Sequence, residues 1–391
     1  MRYVLVGGGA ASASAALAIR KLDAEGEVLV VTEEPYPFYS RIRLLGFLAG
    51  DIAEEELFLF KSQWYEEHRI RLLKGARAER LLPQRRQLVL AGSDTIVYDR
   101  LLLATGSVPF VPPVEGVGLE GVFTLRGLDD VKALATYARD KESVLVLGGG
   151  ALGLEAGYAL RKKGLRVKVA EVAPRLLPRQ LDEDCARMLQ GHLQKLGLEF
   201  HLGVRARRLL GEKRVEAVEL DDGRVLQAQV VLVSAGVRPR VELARSSGLR
   251  LQRGIVVDDS LRTSCADIWA AGDCAEHRGV CYGFWAAAQG QGRVAGTNMA
   301  GGKALYEGTI AAYTVRIAGL EVFSAGDIEP EGPYECILSK DEQGCAYRKV
   351  ALKEGRITGC ILMGRTLQDK QALLRAIQGG RRLSALEASS G

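Results

Sequence analysis

Two glycine turns of the same plan carry the first chemical information in this chain: Gly7-Gly8-Gly9-Ala10-Ala11-Ser12 and Gly148-Gly149-Gly150-Ala151-Leu152-Gly153. In each, the first glycine (Gly7, Gly148) permits a tight turn, and the second (Gly9, Gly150) lets bare backbone approach a ligand. The residues that follow, Ala10 and Ala11 in one copy and Ala151 and Leu152 in the other, open an alanine-rich helix. Unpaired N–H groups at such a helix start suit a pyrophosphate. The third position is Gly153 in the second copy and Ser12 in the first, a small departure that still lets helix and strand pack. At the next strand end come Glu33-Glu34 after the first turn and Glu171 after the second, carboxylates placed to accept ribose hydroxyls. A carboxylate at Glu171 pairs with a free 2′-hydroxyl and repels a 2′-phosphate, which favours NADH over NADPH. Arg166 and Arg175 lie close enough to reverse that preference if they turn inward. One such turn indicates a dinucleotide; two indicate a pair of them, one able to reduce the other.

A third marker is Ile268-Trp269-Ala270-Ala271-Gly272-Asp273, a strand ending in Gly272-Asp273. A carboxylate there can bond a polyol chain under a sheet edge; taken alone it reads equally as a helix N-cap. With the two glycine turns it becomes a flavin marker and points to FAD. Two buried strands also stop at a glycine that lets backbone approach a ligand: Leu101 to Ala104-Thr105-Gly106, and Val230 to Gly236. Cys265, Cys274, His277 and Cys281 supply enough ligand types for zinc, but their spacings match no standard site, so no metal is expected. His68, His192 and His201 have no partner spacing that suggests catalysis.

The elements that must position these residues follow from the apolar pattern. Strand, glycine turn, helix and strand run from residue 2 to 32 and recur from 143 to 170, with Val and Leu runs that do not alternate, as in strands buried on both faces. Residues 76–97 alternate and turn like antiparallel strands. From about 309 the pattern changes to short strands at Tyr313–Ile317, Cys336–Leu338 and Ile357–Leu362, then a helix near 367–378. The expectation is an α/β chain: two Rossmann-like dinucleotide-binding domains, each three-layer ββα, plus a small C-terminal α+β domain. The boundaries read as a discontinuous FAD-binding domain (1–108 and 237–308), an NAD(H)-binding domain (109–236) and a C-terminal domain (309–391). A length of 391 residues with 47% hydrophobic and 26% charged residues suits a chain with a real core. The formal net charge is +5, with basic runs at Arg161–Lys163, Arg205–Arg208 and Arg381-Arg382. These read as solvated faces; no nucleic-acid motif accompanies them. No apolar stretch is long enough for a bilayer and the chain starts as a strand, so a cytoplasmic location and no membrane are expected. Seven cysteines without a C-x-x-C indicate no disulfide framework.

The chain resembles the two-dinucleotide-fold flavoproteins of the pyridine nucleotide–disulfide oxidoreductase superfamily, most of all NADH:rubredoxin reductases and the flavin-binding part of assimilatory nitrite reductase. The resemblance rests on Phe38-Tyr39-Ser40-Arg41-Ile42-Arg43-Leu44, Ala104-Thr105-Gly106-Ser107-Val108-Pro109, Leu176-Leu177-Pro178-Arg179-Gln180-Leu181-Asp182, Ala271-Gly272-Asp273-Cys274-Ala275-Glu276-His277 and Gln289-Gly290-Gln291-Gly292-Arg293-Val294-Ala295-Gly296. It implies that Arg41 contacts FAD near its pyrophosphate, Ala78 meets the adenine, Ala104-Thr105-Gly106 border the ADP half, and Asp273 holds the ribityl chain. It implies that Gly236 borders the nicotinamide nucleotide and that Glu155 points toward the nicotinamide–flavin stack. Glu155 also reads as a carboxylate in a helix's first turn, favoured by the dipole. Phe284-Trp285 would open the helix facing the flavin pyrimidine ring, where its positive end stabilises a reduced flavin. Trp285 either packs on the isoalloxazine or belongs to the core.

Departures from the family narrow the chemistry. Disulfide reductases of this superfamily carry a cysteine pair on the first-domain helix, and NADH oxidases carry one, whereas this chain has no cysteine before Cys185. Thiol–disulfide exchange at the flavin is thereby excluded. A lysine that ferredoxin-reductase relatives place near the flavin is Gly46 here, with Arg43 as the substitute. The resemblance therefore implies an enzyme passing electrons from NADH through FAD to a small acidic electron carrier such as rubredoxin. The alternatives are a flavin component of a nitrite reductase, an NADH oxidase, and a nucleotide-bound sensor without turnover. No residue specifies the oligomeric state.

Overall fold

The computed structural model describes residues 1–380; the basic pair Arg381-Arg382 lies outside the described residues. Two compact units form. The first takes Met1–Arg41, Ala53–Val108 and Val237–Thr309; the second takes Ile42–Ile52, Pro109–Gly236 and the chain from Ile310.

In the first unit a parallel sheet runs in the order Ile268–Ala270, Arg100–Leu103, Arg2–Val6, Glu27–Val31, Ile70–Leu73. Its middle strands are buried on both faces, which explains the Val and Leu runs that do not alternate. An antiparallel sheet of Ala78–Leu82, Gln87–Leu90 and Thr95–Val97 supplies a second layer, and the helices Ala10–Leu22 and Trp285–Met299 a third. One core joins them, from Leu81, Leu88 and Ile96 through Val4 and Leu102 to Ala15, Ile19 and Ala295. The two helices touch along small residues. A side chain at Gly292 would put its Cβ 2.1 Å from the Ala11 carbonyl oxygen, and one at Gly296 2.3 Å from that of Ala15. Four-residue spacing on both helices makes this one continuous seam. Arg20 closes the far end of the first helix, donating to the carbonyls of His68 (2.8 Å), Gly26 (2.8 Å) and Arg69 (2.6 Å).

The second unit repeats the plan. Its parallel sheet runs Leu198–Leu202, Arg166–Glu171, Ser143–Leu147, Val230–Val233, Val122–Thr124. Its antiparallel layer is Ala206–Leu210, Ala217–Leu220 and Val225–Gln227, and helix Ala151–Lys162 follows the glycine turn.

Two boundaries differ from the sequence expectation. Residues 42–52, expected in the first domain, group with the second unit, because helix Leu44–Ala49 packs on helix Ala151–Lys162 and Asp51 pairs with Lys162. By its contacts the small C-terminal domain groups with the same unit. It holds five antiparallel strands in the order Ala312–Ile317, Leu320–Gly326, Arg356–Met363, Ala346–Lys353, Glu335–Asp341, followed by helix Lys370–Gln378. Leu320–Gly326 and Ala346–Lys353 escaped the sequence reading. The second contains Arg348 and Lys349, which break the apolar pattern, yet Lys349 is buried because Asp182 meets it at 3.1 Å.

The seam predicts opposite outcomes for two glycine-to-alanine changes inside helices. Gly191→Ala, with open space at its Cβ, should gain about 0.5–1 kcal/mol from helix propensity alone. Gly292→Ala should lose about 1–3 kcal/mol, because the new methyl meets backbone that cannot give. Shifts in the urea midpoint of each variant check both signs.

Candidate functional site

Each glycine turn lies where its strand order reverses. Arg2–Val6 has Glu27–Val31 on one side and Arg100–Leu103 on the other, and Ser143–Leu147 sits likewise between Arg166–Glu171 and Val230–Val233. The crevice at that reversal is the usual ligand position of an open α/β sheet.

In the first unit Gly7 adopts φ +117° and donates its N–H to the Val31 carbonyl at 2.8 Å. A Cβ there would lie 2.1 Å from the Ala104 carbonyl oxygen, so only glycine fits. Gly9 caps the helix with extended backbone, and a Cβ on it would meet nothing within 4 Å. Ala10 and Ala11 form the first helical turn. Ser12 is buried, and its hydroxyl lacks a protein partner.

The acidic pair at the end of Glu27–Val31 is held by basic groups. Glu34 accepts from the Tyr39 hydroxyl (2.8 Å) and from Arg41 (3.0 Å), whose guanidinium lies 5.4 Å from the Tyr39 ring centre. Glu33 pairs with Arg240. Arg240 is a residue the sequence reading missed. Its backbone N–H donates to the Gly106 carbonyl (2.9 Å), and its carbonyl accepts from the Thr105 hydroxyl (2.8 Å). The only sequence signal was its place just after Gly236.

Gly272 and Asp273 join the same neighbourhood. Gly272 (φ +83°) donates its N–H to the Gln291 side chain at 2.7 Å, and a Cβ on it would sit 3.2 Å from the Ala11 methyl. Gln291 is fully buried and was not singled out from sequence, although its Gln-Gly repeat was. Asp273 accepts from the Ser107 hydroxyl at 2.8 Å. Ala78 begins the small antiparallel sheet opposite Leu90, and just beyond that pair the Ala91 N–H donates to the Arg77 carbonyl at 2.8 Å. Trp285 opens its helix half-buried and stacks on Phe38, ring centres 5.6 Å apart.

Cys265, Cys274, His277 and Cys281 have ordinary protein surroundings. Cys274 is buried with its thiol toward the Leu103 carbonyl, and His277 bonds Asp259 at 2.8 Å. Among the described residues no cluster of three or more His, Cys, Asp or Glu could hold a metal ion, and no helix is long and apolar enough to cross a membrane.

The second unit matches the first in detail. Gly148 (φ +124°) donates to the Ala170 carbonyl at 2.8 Å, and a Cβ there would lie 2.3 Å from the Ser234 carbonyl oxygen. Gly150 again has open space where a Cβ would go, with Ala151 and Leu152 starting the helix. Gly153 is the packing glycine, its Cβ position 2.2 Å from the Gly148 carbonyl oxygen. Glu171 accepts from the N–H groups of Gly149 (2.6 Å) and Ala173 (2.7 Å), which fixes its carboxylate beside the turn. Arg166 turns to Glu142, and Arg175 donates to the carbonyls of Leu181 and Pro178. Gly236 is exposed at φ +99°.

Glu155 and Arg43, singled out for the reaction itself, lie in this unit. Arg43 is exposed and precedes helix Leu44–Ala49. Glu155 is the fifth residue of helix Ala151–Lys162, so the alternative that made it a first-turn carboxylate is incorrect; the helix begins at Ala151, and its first turn holds no acidic residue. Its carboxylate accepts the Arg316 N–H of the C-terminal sheet at 3.2 Å.

Residues 1–292 match the model of the pyridine nucleotide-disulphide oxidoreductase family. The chain belongs to this family. Residues 312–381 match the rubredoxin NAD+ reductase C-terminal domain. A nitrite reductase of Bacillus subtilis is 36% identical over 93% of this chain, which spans 45% of that relative. The chain likewise spans half of a B. subtilis nitrate reductase electron transfer subunit, at 34% identity over 98% of this chain. The crystal structure of NADH:rubredoxin oxidoreductase from Clostridium acetobutylicum superposes with a TM-score of 0.82 at 27% identity, covering 99% of both chains. Members of this oxidoreductase family use FAD and NADH. The residues present fit both groups: each turn offers an open cradle at its second glycine in front of a helix start, and the first adds the unpartnered Ser12 hydroxyl.

Burial pushes the Glu155 carboxyl up to about 7 from its ordinary 4.5, against the opposing bond from Arg316. The folded chain thus holds this proton more tightly than the unfolded chain. Stability falls as pH rises from about 4.5, and the penalty is complete above about 7. Glu155→Gln should flatten that decline and gain roughly 1–2 kcal/mol at about pH 8, with little change near pH 4. Urea unfolding of both proteins at the two pH values measures it.

Proposed function

We propose that this chain oxidises NADH and delivers the electrons, by way of FAD, to a small acidic iron protein of the rubredoxin kind. The observation that carries the reading is the combination of two dinucleotide turns with a C-terminal segment matching the rubredoxin NAD+ reductase domain, in a chain without a cysteine before Cys185. Bound FAD supplies the chemistry the side chains lack: it accepts a hydride and releases electrons singly.

In this reading the first unit holds FAD. The Gly7–Ser12 turn and the N–H groups of Ala10 and Ala11 receive the pyrophosphate, with Arg41 beside it. Glu33 and Glu34 accept the ribose hydroxyls, exchanging part of their present pairing with Arg240 and Arg41. Ala78, Ala104, Thr105 and Gly106 border the adenosine half, and Gly272-Asp273 hold the ribityl chain, Asp273 being oriented by Ser107. The start of helix Trp285–Met299 offers its positive end to the flavin ring.

The second unit holds NADH. Gly148, Gly150, Ala151, Leu152 and Gly153 form the phosphate turn, Glu171 takes the ribose hydroxyls, and Gly236 borders the nicotinamide end. Arg43, Glu155 and Trp285 are the side chains proposed to tune the reaction. No general acid is needed for a hydride step, which accords with the lack of an acid–base pair among them. An enzyme drawing on NADH works where that nucleotide is kept, the cytoplasm.

A second reading is supported by the 36% identity with a nitrite reductase of which this chain spans 45%: the same flavin chemistry serving a separate nitrite-reducing component.

The purified chain should be yellow, and anaerobic NADH should bleach it within seconds. Mixing the reduced enzyme with rubredoxin should restore the colour at a rate that falls roughly tenfold between low and high salt, because the basic enzyme steers an acidic partner. Reoxidation equally fast at both salt concentrations removes the acidic carrier from the proposal, and failure to bleach removes the NADH reaction.

A further inference from the structure

The loop after Glu171 is tied at both ends. At its start Glu171 holds the N–H groups of Gly149 and Ala173. Midway, Leu177 takes the left-handed conformation (φ +48°) and returns its N–H to the Gly149 carbonyl at 3.1 Å, so the loop grips both polar groups of one turn glycine. Leu176 and Leu177 are wholly buried. At its end Asp182 caps helix Glu183–Lys195 through the Cys185 N–H (3.1 Å) with one oxygen. Its other oxygen accepts from the Tyr347 hydroxyl at 2.6 Å and meets the Lys349 ammonium at 3.1 Å.

Tyr347 and Lys349 are two residues apart on strand Ala346–Lys353 and therefore share a face. Asp182, Tyr347 and Lys349 are all buried, so none exchanges its partner for water without cost. Arg175 and Lys349 both lie 3.8 Å from Glu329, a second tie between the same loop and the same sheet. A lysine buried in a strand is poor packing on its own; here it ties down the loop that follows Glu171.

We propose that Tyr347 and Lys349 are positioning residues that set, through Asp182 and the 172–182 loop, how tightly the adenosine half of NADH is held. This rests on the reading that the Gly148 turn and Glu171 bind NADH. It gives the C-terminal sheet a part in nucleotide binding.

The test compares the full-length parent with Tyr347→Phe and with Tyr347→Phe/Lys349→Met, using NADH and reduced nicotinamide mononucleotide, which lacks the adenosine half. In the double variant KM for NADH should rise about tenfold with kcat within about twofold, and the inhibition constant of ADP-ribose should rise by the same factor. KM for reduced nicotinamide mononucleotide should not move. Tyr347→Phe removes one hydroxyl from an otherwise unchanged ring and should give a smaller rise, about threefold, should the double variant not fold. An unchanged KM for NADH in the folded variants overturns the proposal, as does an equal loss with both donors. A parent that NADH does not reduce overturns instead the reading on which the proposal rests.

Discussion

The architecture depends on one steric constraint used twice: a backbone turn pressed against the carbonyl of the neighbouring strand. Gly7 has the Ala104 carbonyl oxygen and Gly148 the Ser234 carbonyl oxygen where a side chain would be. That contact lets the following helix start immediately above the sheet, so its unpaired N–H groups open onto the crevice where the strand order reverses. The glycines two positions later leave that crevice open. Everything else in each unit, from the acidic strand end to the packing helix, is arranged around that turn.

The first unit extends the same economy of space to its second helix. Gly292 and Gly296 let helix Trp285–Met299 approach Ala11 and Ala15, and Gln291 reaches Gly272 from the same helix. The element after the first glycine turn, the strand end at Asp273 and the helix from Trp285 thus form one closely fitted group. A ligand bound there would meet backbone from three distant stretches of sequence. In the second unit the comparable bracing comes from charge: Asp182 and Glu329 draw Lys349 and Arg175 into one network.

Much of this could be read from the sequence because glycine turns, Val and Leu runs and terminal carboxylates are local signals. Both parallel sheets, the helices from Ala10 and Ala151, and the antiparallel layer over 76–97 follow from spacing, and the helix from Trp285 from the family resemblance. The missed pieces were missed for physical reasons. Strand Ala346–Lys353 carries two adjacent cations, and its burial depends on partners far away in sequence. Helix Leu44–Ala49 looked like part of the first domain because chain order said so; its packing partner lies more than a hundred residues on. Arg240 has no motif of its own, and only the fold brings it to Glu33.

The sequence by itself determined the two glycine turns and the class of cofactor, since each depends on which residue types stand at short, fixed spacings. The tertiary structure alone decided which charges meet: Glu33 with Arg240, Glu34 with Arg41, Asp182 with Tyr347 and Lys349. It also decided that Glu155 lies half-buried against the Arg316 backbone, beyond the helix's first turn. Side-chain pairing over long sequence separations depends on how the layers stack, and no local pattern encodes that.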